Sequence, residues 1–444
     1  MSKENKSSGA GARTFHDLKL DPAILEVLDR LNFVTPTPIQ AQAIPDVLAG
    51  EDMIGIAQTG TGKTLAFGLP MLQRFIKSGG RAGRGLVLLP TRELAVQVED
   101  AIKQIGEGFS LSTAVLIGGT PIKPQIAQLN KNPDIIVATP GRLIDHLQQG
   151  NVDLRTVDML VLDEADRMLD MGFLPQIKQI LRAVPDERQT MLFSATMPDE
   201  IVNIADRHMK HPTRIEIARA GTAAEKVSQE IFVVPMKEKP DLLAIMLEKY
   251  QGTVLVFTRT RSRAASVARY VKKLNVGAAE IHSDRSQTQR QAALDGFKAG
   301  RYRVLIATDI AARGIDVSDI ELVVNYDLPD NAEDYVHRIG RTARAGKEGH
   351  AVSFAMPDQG PEVRAIEKLI RNDLPISQDS LYPFDPSASS AGPSSTPRGN
   401  GGQPRGGNNR SSGSNRSGSS PARQAGARGG RPSSRPPRSS GRGR

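Results

Sequence analysis

Ala57-Gln58-Thr59-Gly60-Thr61-Gly62-Lys63-Thr64 is the stretch whose reading decides how this chain folds. An apolar run of strand length, Met53 to Ile56, stands before it, and Leu65, Leu69, Leu72 and Ile76 recur after it at helical spacing. A strand, a glycine-rich turn and Gly-Lys-Thr at a helix start make the P-loop context. A triphosphate needs backbone N–H donors at close range, so Gly60 and Gly62 leave room and permit unusual dihedrals. The helix N-terminus adds its positive dipole end. Lys63 can then reach the outer phosphates and the Thr64 hydroxyl can ligate Mg²⁺. The usual first glycine is Ala57 here, which fits if that position needs only a small side chain. The stretch predicts a nucleotide site.

Working back toward the N-terminus, Phe33-Val34-Thr35-Pro36-Thr37-Pro38-Ile39-Gln40 is a proline-punctuated turn that opens a helix running toward Leu48. Residues 1–13 are polar, without the apolar centre of a signal peptide, and read as a disordered leader. Working forward to about residue 218, apolar runs at 53–57, 86–89, 113–117, 135–138, 159–163 and 190–194 alternate with helical patterns such as 92–105 and 174–183. Continuous apolar strands alternating with helices predict a parallel sheet covered on both faces, an α/β domain over 14–218. Ligands in such sheets gather at the carboxyl ends of strands. There stand Thr91-Arg92-Glu93, Gly118-Gly119, Thr139-Pro140-Gly141-Arg142, Asp163-Glu164-Ala165-Asp166 and Ser194-Ala195-Thr196. Asp163, closing the apolar run Met159 to Leu162, can hold Mg²⁺ opposite Thr64, and Glu164 is placed to polarise an attacking water. The plainer alternative for this cluster is a helix cap with first-turn acids.

Residues 219–226 are small and polar and read as a linker. A second alternating series, with runs at 229–234, 253–257, 278–281, 303–307, 321–326 and 351–355, predicts another α/β domain over 227–378 without a P-loop of its own. It carries Thr308-Asp309, Arg313-Gly314-Ile315-Asp316, and His337-Arg338-Ile339-Gly340-Arg341-Thr342-Ala343-Arg344. Arginines three apart are either a solvated helix face or fingers that stabilise charge on a transferring phosphoryl group.

Composition narrows the classes. The 444 residues suffice for two or three domains, and 39% hydrophobic content supplies large cores. No apolar run approaches the ~20 residues of a membrane-spanning helix. The absence of cysteine excludes disulfides, thiolate metal sites and cysteine nucleophiles, and fits a reducing cytoplasm. The net charge of +9 is unevenly placed: residues 386–444 hold 11 Arg and no Lys, Asp or Glu, leaving 47 basic against 49 acidic residues elsewhere. That Gly/Ser/Pro/Arg tail has no aromatic residue and is expected to be disordered and to bind phosphate charge.

Over about residues 15–370 the motifs, in order and spacing, resemble the DEAD-box RNA helicases of helicase superfamily two, with Asp163-Glu164-Ala165-Asp166 as the name-giving motif. The resemblance implies two RecA-like domains, RNA-stimulated ATP hydrolysis with Mg²⁺, and RNA as a partner read with little sequence preference. It implies that Phe33 stacks on adenine and Gln40 reads its edge, and that Ala57 to Thr64 cradle the phosphates. Asp166, Ser194, Thr196 and His337 would couple hydrolysis to unwinding. Thr91, Arg92, Gly119, Thr139, Arg142, Arg259 and Thr308 would contact RNA, Asp316 the ribose, and Arg341 and Arg344 would be the fingers. Asn32, Ser283 and Ala343 stand where the family commonly has glycine, and none of these removes a functional group. The compact core with a basic tail is similar to bacterial RhlE-like members, and ribosomal or RNA-decay assemblies are the partner class implied, with no membrane. An ATP-dependent RNA clamp or annealing chaperone uses the same motifs, as does a P-loop protein acting on DNA.

Overall fold

The computed structural model describes residues 14–57, 60–79, 84–217, 227–312, 320–343, 349–380 and 382–384. The apolar runs form two wholly parallel sheets. The first holds β1 (Met53–Ile56), β2 (Arg84–Leu88), β3 (Thr113–Leu116), β4 (Ile135–Ala138), β5 (Val157–Leu162), β6 (Gln189–Ser194) and β7 (Thr213–Glu216). Their spatial order is β3-β4-β2-β5-β6-β1-β7. The second holds β8 (Val227–Val233), β9 (Val254–Thr258), β10 (Ala278–Ile281), β11 (Val304–Thr308), β12 (Leu322–Asn325) and β13 (Gly349–Ala355), in the order β10-β11-β9-β12-β13-β8.

Side chains alternate across a strand, so a strand buried on both faces feeds two cores. In β5, Leu160 and Leu162 pack with Ile177 and Ile180, while Met159 and Val161 pack with Phe67 and Val98 on the opposite face. In β11, Leu305 and Ala307 join Phe297 and Ile339, whereas Val304 and Ile306 join Val267 and Val271. Both sheets are therefore the helix-covered kind that the sequence predicts.

The segment ahead of β1 is fixed by its own small core. Phe15, Leu18, Leu20, Ile24 and Leu28 pack on Leu65, Leu69 and Leu72 of the helix Lys63–Lys77. The helix Pro22–Arg30 then ends in a left-handed residue, Asn32 at φ 60°. Asparagine tolerates that conformation better than most residues, which accounts for its standing where glycine is common. Two features were not read from the sequence. β7 pairs with β1 at the sheet edge although only Ile215 of its four residues is buried. Beyond the helix Gly360–Ile370, the chain returns to the edge of β8: Ile231 N–H donates to the Pro375 carbonyl (2.9 Å), and the Tyr382 hydroxyl donates to Glu238 (3.0 Å).

Candidate active site and nucleic-acid surface

Strand order sorts the candidate residues into two halves of one sheet rim. β5, β6 and β1 lie side by side, so the segments they release, Asp163-Glu164, Ser194 to Thr196, and Ala57 with Gly60 to Thr64, become neighbours. β3, β4 and β2 form the other half and release Gly118-Gly119, Thr139 and Thr91.

In the first half, Lys63 opens its helix and lies buried, with Nζ 3.2 Å from Asp163 Oδ1 and donating to the Ala57 carbonyl at 3.4 Å. Burial pushes the Asp163 carboxyl upward, against the opposing pull of the Lys63 ammonium. Gly60 and Gly62 have φ of 85° and 89°, and a Cβ on Gly62 would come within 2.4 Å of Gln40 Nε2. That close approach comes from a hydrogen bond: Gln40 Nε2 donates to the Gly62 carbonyl at 2.9 Å, while Gln40 Oε1 accepts from Thr37 N–H at 2.8 Å. Gln40 thus ties the proline turn to the phosphate loop. An amide has two N–H donors and two lone pairs, so one of each remains for a base edge. Phe33, 36% exposed beside the more exposed Val34, presents a ring at the same turn. Thr64 is half-buried one residue after Lys63, and its hydroxyl with the Asp163 carboxylate is a hard-oxygen pair suited to Mg²⁺. The glycine cradle, the buried lysine and this oxygen pair fit a magnesium triphosphate.

Glu164 occupies the left-handed region at φ 52° and ψ 51°, a cost of about 1–3 kcal/mol for a residue with a Cβ and a mark of functional turns. Its carboxylate lies 3.3 Å from Arg167 Nη1, both groups buried. Asp166 faces the other way. Its Oδ2 accepts from Ala195 N–H (3.0 Å), Thr196 N–H (2.9 Å) and the Thr196 hydroxyl (3.2 Å), and its own N–H donates to Ser194 Oγ (3.2 Å). The acidic cluster is therefore no simple helix cap: one end meets the P-loop lysine, and the other is stitched to Ser194-Ala195-Thr196.

On the second half of the rim, Thr91 and Thr139 are N-caps of the helices Arg92–Ile105 and Pro140–Gln148. Arg92 lies flat on the glycine turn, where a Cβ on Gly119 would collide with its guanidinium. Arg142 donates to the Thr120 carbonyl at 3.1 Å. The structure brings Arg92, Gly119, Arg142 and two helix N-termini together on one surface, a donor-rich site for phosphates.

In the second sheet, Arg259 follows β9, with its guanidinium on the Leu328 carbonyl (3.2 Å) and near Asp330 (3.0 Å). Thr308 ends β11 and the next residue, Asp309, accepts two bonds of 2.6 Å from Arg338. Arg338 also donates to the Asp327 carbonyl at 2.6 Å and lies over the Phe257 ring, 5.0 Å from its centroid. It is an internal pin, so of the spaced arginines this one is structural. Arg341 is buried at the end of the same segment, one turn beyond His337. Thr342 next to it donates from its hydroxyl to the Ile320 carbonyl. Ala343, at φ 55°, adopts the backbone for which the family's glycine is suited. Gln58, Thr59, Asp316 and Arg344 lie outside the described residues, as do the leader 1–13, the linker 219–226 and the tail 386–444.

One pair was missed by sequence reading. Glu93, on the helix that starts at Arg92, lies 2.9 Å from Arg290 on the helix Gln287–Lys298 of the second sheet, and both are buried. Burial lowers the Arg290 pKa, with Glu93 opposing that effect. The signal available was weak: a glutamate directly after Thr91-Arg92, and an arginine four residues into a capped helix.

Comparisons with known proteins agree with this geometry. Residues 37–204 match the DEAD/DEAH box helicase family model and residues 238–346 the helicase conserved C-terminal domain. The chain is 44% identical over 355 residues to the ATP-dependent RNA helicase CshA of Listeria monocytogenes, covering 80% of this chain and 68% of that protein. It is 42% identical to the ATP-dependent rRNA helicase RRP3 of Yarrowia lipolytica, covering 80% and 74%. Among solved structures, S. cerevisiae Dbp5 bound to RNA and ADP BeF3 superposes with a TM-score of 0.74 at 31% identity, covering 84% of this chain and 96% of that one. Mss116p bound to ssRNA and AMP-PNP gives 0.77 at 30% identity, covering 86% and 82%. With both halves of the rim and both family models in place, the chain belongs to the DEAD-box ATP-dependent RNA helicases, built on two RecA-like folds and acting as ATP hydrolases.

Proposed function

We propose that this protein couples ATP binding and hydrolysis to local opening of RNA duplexes and remodelling of RNA–protein complexes. The observation that carries the proposal is the Asp166 link. It joins the turn holding the two catalytic carboxylates to Ser194-Ala195-Thr196, so a change at the nucleotide is felt by a second segment of the rim. Lys63 and the loop Ala57 to Thr64 bind the triphosphate, Phe33 and Gln40 take adenine, and Asp316 takes ribose. Mg²⁺, held by Thr64 and Asp163 with the phosphates, would neutralise charge on the transferred group. Glu164 orients and polarises the attacking water. Arg341 and Arg344 approach the phosphates when the domains 14–218 and 227–378, joined by the linker 219–226, close on ATP and RNA. His337 bridges the domains in that state.

RNA lies along Thr91, Arg92, Gly119, Thr139 and Arg142 on the first domain and Arg259 and Thr308 on the second. Contacts to phosphate and 2′-hydroxyl groups at strand ends give little sequence preference. The basic tail supplies an additional phosphate-binding tether, and with the short core it supports placement near the RhlE-like members. A reducing cytoplasm fits the lack of cysteine, and the resemblance to an rRNA helicase supports ribosomal or RNA-decay assemblies as partners; no helix among the described residues is long and apolar enough to cross a membrane. The test is steady-state ATPase activity without nucleic acid, with RNA and with DNA of the same sequence. Strong stimulation by RNA alone is expected; equal stimulation by DNA overturns the RNA assignment.

A further inference from the structure

The helix Arg261–Lys273 carries a charge that the proposed function leaves unused. Its sequence, RSRAASVARYVKK, has five basic residues and no acidic one, in a folded region that is otherwise nearly balanced. Ala264, Val267, Ala268 and Val271 turn into the core, which leaves Arg269, Lys272 and Lys273 exposed. Arg269 donates within its own helix, to the Ala265 carbonyl and the Ser266 hydroxyl at 3.3 Å each. Beside this helix, against the helix Lys239–Lys249, lies a groove of about 340 Å³ lined by Arg263, Arg269, Tyr270, Lys273, Tyr326 and Leu243. Two acids stand beside it: Asp241 is engaged by the Tyr270 hydroxyl at 3.1 Å, and Asp327 lies 3.5 Å from Lys239 Nζ and 3.8 Å from Arg263 Nη1. A smaller cavity of about 70 Å³, lined by Arg259 and Thr260 among others, shares Arg263 with the groove. Cationic groups therefore run from the strand-end residue Arg259 through Arg263 to Arg269 and Lys273; Asp327 lines the smaller cavity but is shared by Lys239 and Arg263, and no carboxylate lines the groove itself.

We propose that this groove is a second RNA site, which takes the backbone of the strand after it passes Arg259. The inference rests on the reading of Arg259 as an RNA contact. Charge complementarity fits a polyanion, and continuity with the rim makes that polyanion the RNA already there. The Tyr270 ring adds a stacking surface that a carboxylate-rich peptide would not need. The chain's own tail is excluded as occupant, since its 11 arginines would meet like charge. From Arg263 to Lys273 the helix axis advances about 15 Å, room for several phosphates at the ~3.4 Å axial spacing of one strand in a duplex.

The test uses full-length protein and the triple variant Arg269→Gln/Lys272→Gln/Lys273→Gln, with a ladder of single-stranded oligouridylates of increasing length. Short RNAs confined to the rim are expected to bind both proteins equally, and longer ones to bind the variant more weakly. Each single-strand phosphate contact contributes about 0.7 to the salt slope. Arg269 and Lys273 line the groove, and loss of these two contacts predicts that between 50 and 200 mM salt the wild type loses about sevenfold more affinity for long RNA than the variant does. Arg259→Gln is measured alongside and should weaken short and long RNAs alike. If Arg259→Gln has no effect, the strand-end reading is wrong. If the triple variant matches the wild type at every length and salt, the groove is not an RNA site, which is also the result expected if it serves an acidic protein. All three changed residues are exposed, and a matching melting curve verifies the fold. Should the triple variant melt early, Lys273→Gln alone is read by the same two measures, with a slope change of about 0.7.

Discussion

Asp166→Ala removes the carboxylate that ties the acidic turn to Ala195 and Thr196 and leaves the bond from its backbone N–H to Ser194 Oγ in place. In the wild type its Oδ2 receives three hydrogen bonds of 2.9 to 3.2 Å, two of them from backbone N–H groups. Its Oδ1 receives a fourth from Arg167 N–H at 3.0 Å. A hydrogen bond to a charged acceptor contributes roughly 1.5–3 kcal/mol, and a buried donor left unmet costs a comparable amount. The Ala195 and Thr196 donors are half-buried, so water recovers part of this, and a net loss of about 3 kcal/mol follows for the local structure. Asp163, Glu164 and Lys63 are untouched, so ATP turnover should persist. If the link carries the whole of that free energy between hydrolysis and RNA, the number of duplexes opened per ATP consumed should fall about a hundredfold. The assay pairs strand displacement of a short RNA duplex with phosphate release in the same reaction. Asp166→Asn, which keeps one acceptor oxygen, should fall between the two. An unchanged ratio in Asp166→Ala would refute the coupling role, whatever happens to the absolute rates.

Four further outcomes follow from the same geometry. Lys63→Ala should weaken ATP binding at least tenfold, measured by nucleotide titration, because it deletes the phosphate-facing cation and strips Asp163 of its 3.2 Å partner. Glu164→Gln should bind ATP and RNA together but lose nearly all turnover, and near-normal ATPase activity would remove its role with the water. Gln40→Ala should raise the ATP KM and narrow the preference for ATP over GTP, since the tie between Thr37 and Gly62 is cut along with the base edge; unaltered selectivity would place the base reader elsewhere. Lys239, buried among the Tyr326 and Phe354 carbonyls and Asp327, has its pKa pushed down to about 8 from 10.5, chiefly by burial. Between those values the unfolded chain holds the proton and the fold releases it. This lysine's contribution to stability is therefore lowest below pH 8 and rises toward pH 10.5, by up to about 1.4 kcal/mol per unit. Denaturation of wild type and Lys239→Met at pH 7.5 and 9.5 checks it: the difference between them should depend on pH, and a constant difference would mean that the group does not titrate there.

Much of the fold is legible because the strands that build it are buried on both faces. Met53–Ile56 and Val157–Leu162 announce themselves as apolar runs, and the helix Arg92–Ile105 begins at the predicted residue because a threonine caps it. β7 does not announce itself, since an edge strand needs only one buried residue, here Ile215. In the site, the P-loop, the acidic cluster and Ser194 to Thr196 are legible as local patterns tied to strand ends. What escapes is the pairing between distant charges. Glu93 stands in the sequence only as one of the strand-end residues and Arg290 as an unmarked helical arginine, and only the packed structure brings them to 2.9 Å. Likewise Arg338 and Arg341 are the same residue three apart. The Asp309 carboxylate and the Phe257 ring make the first a pin, and no local pattern could have separated them.

The most direct test of the central claim is strand displacement of a short RNA duplex by the full-length protein, with ATP, with a non-hydrolysable analogue and with no nucleotide. Rapid multiple-turnover opening with ATP, little turnover with the analogue and none without nucleotide is the expected result. Equal duplex opening without nucleotide would contradict it and would identify the protein as an RNA annealing chaperone whose ATP site is not coupled to RNA.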